Sequence, residues 1–224
     1  MLVLSVGPGP IVSLNRPIAL FFSAVCHPLL LPSYLYYVVC YQLPALVQYP
    51  PLPDRWRLVA LVVLFTFGLP TLGTALLIWT GAINGTLELR ERQQRPLPLL
   101  LATVSFGIGA VLLDTATEAL DPLLRYMMLG MTLTVLLTLV VSLRWKISAH
   151  GAGAGGTVGL FALLCISAPQ AVPVLWWLLG SLAMAGAVLK ARLTLRAHTP
   201  AQAWAGFALG VSLVIGFGAG LALK

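Results

Sequence analysis

Apolar residues in this chain come in uninterrupted stretches, most of them near the roughly 20 residues that an α-helix needs to cross a bilayer, separated by short polar segments. The pattern predicts helices over about 17–41, 57–80, 97–113, 122–143, 151–168, 172–189 and 200–222, seven in all. The first is interrupted by Pro28 and Pro32, and the "YPPLPDRW" that follows reads as a surface linker, because each proline removes a donor and restricts the residue before it. The third and fifth are short for a full crossing and are expected to tilt against their neighbours or to span only in part. The expected fold is an all-α polytopic membrane protein: one transmembrane domain over 1–224, a bundle of six to seven transmembrane helices.

Composition agrees, with 59% of residues hydrophobic and 8% charged, against roughly 25% charged in soluble domains. So little chain lies between the apolar runs that a separate soluble domain has no room. The net charge of +7 is spread through short loops and forms no stripe, so nucleic acid is excluded as a partner and membrane lipids take its place. Cys26, Cys40 and Cys165 sit in apolar segments without a CxxC pairing and read as small buried hydrophobes rather than a disulfide frame or metal site. The N-terminus shows neither a basic leader region nor a small-residue cleavage site, so the first hydrophobic segment is expected to be retained.

The charges are unevenly placed. The loops 81–96, 144–150 and 190–199 are separated by two crossings each, so all three open on one face. With Arg16, that face takes nine of the thirteen cations: Arg90, Arg92, Arg95, Arg144, Lys146, Lys190, Arg192 and Arg196 are the others. The opposite face has Arg55, Arg57, Arg125 and Lys224 with the carboxylates Asp54, Asp114, Glu118 and Asp121. The tendency of Lys and Arg to gather in cytoplasmic loops explains loose cations. It does not explain why His150 and His198 are each embedded among them.

The three basic loops hold complementary chemistry. "ELRERQQRPLP", Glu88 to Pro98, offers arginines before a proline suited to a first helical turn. "KISAHGAGAGG", Lys146 to Gly156, puts Lys146 and His150 one turn apart if the segment is helical. In "KARLTLRAHTPAQAWAG", Lys190 to Gly206, Thr199, Pro200 and Gln202 form a T-x-x-Q capping box, which places His198 just before a helix N-terminus. An anion there would meet free N–H groups, the positive end of the helix dipole, and Arg192 and Arg196. Phosphate suits these parts, since arginines grip its oxygens in pairs and histidines can attack phosphorus or protonate a leaving oxygen.

On these residues the chain resembles the type 2 phosphatidic acid phosphatase superfamily, whose membrane members carry the motifs K-x6-RP, PSGH and SR-x5-H-x3-D. Arg95 and Pro96 match the first, Ser148 to His150 ("SAH") the second, and Arg192 with His198 reproduces R-x5-H. The resemblance covers about residues 88–206. It implies a phosphatidic acid phosphatase type 2-like bundle that releases phosphate from a lipid phosphate or polyprenyl diphosphate, with no metal or other cofactor. It also implies the roles: His198 as nucleophile, His150 as acid, Gln202 orienting His198, and Arg95, Arg192, Lys146, Arg92 and Ser148 binding phosphate. An integral protein of a bacterial inner membrane is the implied location.

The departures are specific. Glu88 stands where the family has lysine, so Arg90 or Arg92 would have to substitute; Ile147, Ala149 and Ala191 replace proline, glycine and serine; and Gln202 replaces the aspartate that orients the nucleophile. A glutamine oxygen still accepts the Nδ1 proton but brings no charge to an imidazolium; in serine proteases the comparable Asp-to-Asn change costs about 10⁴ in turnover. A second reading therefore keeps the fold and binds or transports a phosphorylated lipid. A third, a prenyltransferase, would use Asp114, Glu118 and Asp121 as magnesium ligands, although Asp121 before Pro122 is as easily a helix cap. His27 beside Pro28 reads as a buried hydrogen-bonded residue or part of a lipid cavity. The pairs Gly151 and Gly155, Gly206 and Gly210, and Gly216 and Gly220 allow close helix approach within the chain or in a homodimer, and Trp176, Trp177 and Trp204 read as interface residues.

Overall fold

Prolines punctuate the chain. Pro96, Pro122 and Pro200 each occupy a first helical position, where the missing N–H costs nothing, and begin three of the long helices. The computed structural model describes residues 15–83, 92–116 and 119–222. It is all-helical there, without strands, and six of its helices are long and apolar enough to cross a membrane: Leu52–Trp79, Pro96–Thr115, Pro122–Ser142, Ala149–Ser167, Val172–Thr194 and Pro200–Gly218. The chain is an integral membrane protein with six such helices among its described residues.

The expected first span, 17–41, is not one helix. Pro28 pushes His27 out of helical geometry, and the chain turns over Cys26–Leu30 between α1 (Arg16–Val25) and α2 (Leu31–Tyr37). With ten residues, α1 is too short to cross; it packs on α8 (Val172–Thr194), while α2 packs among α3 (Arg55–Val63), α6 (Pro122–Ser142) and α7 (Ala149–Ser167). The first crossing is α3 continued through a wider turn, Leu64–Gly68, into α4 (Leu69–Trp79). Pro70 lies just beyond that turn, where it cannot donate to the ladder, and the Phe65 carbonyl inside the turn accepts from Ser105 Oγ of α5 (Pro96–Thr115) at 2.6 Å. Membrane helices tolerate such breaks when a neighbour satisfies the freed group.

The third and fifth runs, expected to be short, are 20 and 19 residues long as α5 and α7, enough to cross. The core lies between α2, α3, α5, α6 and α7, around Tyr36, Phe106, Leu124 and Met128. Tyr36 buries its ring there and donates its hydroxyl to Leu124 O at 2.5 Å. All six tryptophans are exposed near helix ends: Trp79, Trp145 and Trp204 toward the basic loops, Trp56, Trp176 and Trp177 at the other end. Such belts mark the two headgroup levels.

The closest helix pair is α7 against α9 (Pro200–Ala222). A Cβ at Gly155 would strike Phe207 O, one at Gly206 would strike Ser148 O, and one at Gly210 would strike Ala152 O. At Gly151 it would lie 2.6 Å from Ala203 O. The Gly151/Gly155 and Gly206/Gly210 pairs are thus spent inside one chain.

The opposite end is clamped by Arg55. Its guanidinium, buried, donates to Cys40 O at 2.6 Å, Val47 O at 2.6 Å and Pro50 O at 3.0 Å, tying the proline-rich linker to the first crossing. Asp121 is not the helix cap its place before Pro122 suggests: its carboxylate accepts from the backbone N–H groups of Gln48 and, at 2.9 Å, Tyr49.

Candidate functional site

The helices α5, α7 and α9 all begin at the basic end, so three positive dipole ends meet there. Two starts are bonded together. Ser148, fully buried, caps α7 by accepting the Gly151 N–H at 3.1 Å, and its own N–H donates to Gln202 O at 3.2 Å. On α9 the expected capping box is formed: Gln202 N–H donates to Thr199 Oγ1 at 3.4 Å, and Thr199 N–H donates to Gln202 Oε1 at 3.2 Å.

The turn between α8 and α9 aims His198 inward. Arg196 sits at φ +50°, a left-handed position normally given to glycine, with its N–H on Leu193 O and the next N–H on Arg192 O. The reversal leaves Arg196 exposed and buries His198. Of the two arginines expected around an anion at His198, only Arg192 faces in.

His198 lies between neighbours that fix its tautomer. Arg95 can only donate, so the 3.4 Å approach of its guanidinium to Nε2 requires a lone pair on that nitrogen. Nδ1 then carries the hydrogen and shares it between Gln202 Oε1 at 3.2 Å and Lys146 O at 3.3 Å. Burial first, then the charges of Arg95 and Arg192, lower the imidazole to about 3, so it is neutral at physiological pH. Arg95, buried and donating to Ile147 O at 2.7 Å, is itself lowered to about 10 by burial and by Arg192, and stays cationic.

His150 is held separately. Its Nε2 donates to Ser23 O at 3.0 Å, and Arg192 donates to the Ser23 hydroxyl, so one residue of α1 links the second histidine to the second arginine. His27, in the turn after α1, meets His150 edge-on with ring centroids 5.5 Å apart, and its Nδ1 accepts from Leu29 N–H.

The structure therefore brings together Arg95, Lys146, His198 and Gln202 around one imidazole, and Arg192 and His150 around Ser23. Lys146 and His150 do not share a helix face as expected, because α7 starts only at Ala149; Lys146 contributes through its carbonyl and its charge. Arg192 belongs to the last turn of α8, which continues past the expected end at 189 to Thr194. Ser148 acts as a helix cap. Arg92 opens a short turn, Arg92–Gln94, and its side chain, like Glu88 and Arg90, lies outside the described residues. Ser23 carries no motif and was not anticipated; the proline break beside His27 is the signal that could have placed this segment at the site.

The three described carboxylates all lie at the other end: Asp54 pairs with Arg57 and Asp114 with Arg125, both at 3.2 Å, and Asp121 holds the linker. Among the described residues no three His, Cys, Asp or Glu converge as a metal site, and Glu118 is outside them. Two of the carboxylates in the prenyltransferase reading are thus engaged elsewhere.

No family model, no curated protein and no solved structure matches this chain.

Proposed function

We propose that this protein is a membrane-embedded phosphatase that removes phosphate from a lipid phosphate or diphosphate, in the manner of the type 2 phosphatidic acid phosphatases, in a bacterial inner membrane. The observation that carries the reading is His198: a neutral imidazole whose Nε2 lone pair faces the Arg95 guanidinium while Nδ1–H is held by Gln202 and Lys146. A phosphate oxygen taking the place of Nε2 against Arg95 would set phosphorus in front of that lone pair. Nε2 then forms a bond to phosphorus as the bond to the lipid oxygen breaks, and His150, as an imidazolium beside the bound phosphate, passes its Nε2 proton to that oxygen, exchanging the Ser23 carbonyl for it. Water attacks the phosphohistidine and gives its proton to His150, the N–P bond breaks, and phosphate leaves with His150 and His198 as they began.

One observation favours the binding or transport reading. Gln202 Oε1 is shared between the Thr199 N–H and His198, and being neutral it offers no charge to an imidazolium. The experiment is phosphate release by purified protein in detergent with EDTA, from a panel of lipid monophosphates and diphosphates. The expected result is release that survives EDTA and is lost in His198→Ala. No release from wild type, with release appearing in Gln202→Asp, overturns the enzyme reading in favour of binding or transport.

A further inference from the structure

Behind the polar cluster lies an apolar cavity of about 620 Å³ between α2, α5, α6, α7 and α9. The segments that carry the cluster run on into its wall. Arg95 is followed one turn later by Leu99 and then Ala102, His150 is flanked by Ala149 and Gly153, and His27 is followed by Pro28. From there the cavity passes along α6 from Thr138 to Leu123, about 22 Å at 1.5 Å per residue, most of the roughly 30 Å hydrocarbon thickness.

Its wall is mostly apolar. Thr134, Thr138 and Thr157 spend their hydroxyl hydrogens on Gly130 O, Thr134 O and Gly153 O at 2.8, 2.7 and 3.0 Å, and Tyr126 and Ser167 are the other side chains there with hydroxyls. Apolar cavities of this kind stay dry and accept apolar guests. At roughly 30 Å³ for each water-sized group, a volume of about 620 Å³ holds on the order of twenty carbons. That is about the volume of one hydrocarbon chain.

Resting on the phosphatase reading for its headgroup end, we propose that this cavity is the tail site and that the substrate class is the phosphate of a single-chain lipid. One acyl or isoprenoid chain runs down the cavity while its phosphate stays at Arg95 and His198. A two-chain phosphatidate could seat only half of its hydrocarbon there.

Gly130 gives a clean test. It lines the cavity, and a Cβ there meets nothing within 4 Å, so a larger residue grows into the empty space; Gly186 also has open space but lies outside the cavity. The probe is a sixteen-carbon alkyl phosphate with a photoreactive diazirine near the tail end, cross-linked to purified full-length protein and located by mass spectrometry. Adducts are expected on cavity residues such as Met127, Met131 and Leu160, at least tenfold fewer in Gly130→Phe, and unchanged in Gly186→Phe. Should Gly130→Phe fail to fold, Gly130→Leu and the adduct positions in wild type decide the matter. Adducts confined to outward residues such as Val104 or Val111, or labelling unaffected by filling the cavity, overturn the proposal. So does competition by two-chain phosphatidate that equals that of unlabelled single-chain phosphate. Labelling needs no turnover, so a protein that labels as expected but releases no phosphate fails the phosphatase reading and keeps the tail site.

Discussion

At the scale of single residues, the tautomer and charge of His198 are set by its partners, and both can be measured. The imidazole sits at about 3 against an ordinary 6.5, so the unfolded chain takes up a proton below 6.5 that the folded chain refuses. Its contribution to stability is therefore complete above about pH 6.5 and is lost progressively as the pH falls from there toward 3. Its Cε1 proton resonance is expected to stay fixed between pH 8 and 5, and Arg95→Gln, which removes the nearest charge but not the burial, is expected to move its titration upward. Placing a carboxylate there with Gln202→Asp should pull the same titration upward and increase any phosphate release several-fold, in a single-turnover assay. Arg196→Gly, which relieves the left-handed turn, should raise stability by roughly 1 kcal/mol in a thermal melt.

At the scale of elements, the glycines divide by what a side chain would meet. Gly155→Leu must force α7 off the Phe207 carbonyl of α9 and is expected to lower the melting temperature sharply, whereas Gly186→Ala, with nothing within 4 Å, should leave it unchanged or slightly raised. Arg55→Met strands the carbonyls of Cys40, Val47 and Pro50 and should cost about 3 kcal/mol or more. Most helices and the capping box of α9 were legible in the chain, because apolar length and the residues Pro, Thr and Gln act locally. The last turn of α8 was not, since Lys190 and Arg192 look like a loop although their stems can lie along a helix near the headgroups. The break between α1 and α2 was hidden for another reason: hydropathy reads one span or two short helices alike. The bond from His150 to Ser23 joins residues 127 apart, and nothing local announces it.

At the scale of the whole molecule, charge is sorted between the two ends, with the histidines, Arg95 and Arg192 at one end, apart from every described carboxylate, and the described carboxylates beside Arg55, Arg57 and Arg125 at the other. Inorganic phosphate should therefore stabilise the intact protein, by about 2.7 kcal/mol at a hundred times its Kd, and so raise its thermal midpoint, and the rise should vanish in Arg95→Gln. The glycine contacts between α7 and α9 bear on how such a protein moves. The first of these helices carries His150 and the second begins just after His198, and their backbones lie so close that neither can slide or tilt without carrying the other. They form one stiff mechanical part, and the spacing of the two histidines is built into it. What lies outside that lock is α1, which packs on α8 and reaches the stiff part through the hydrogen bond from His150 to the Ser23 carbonyl.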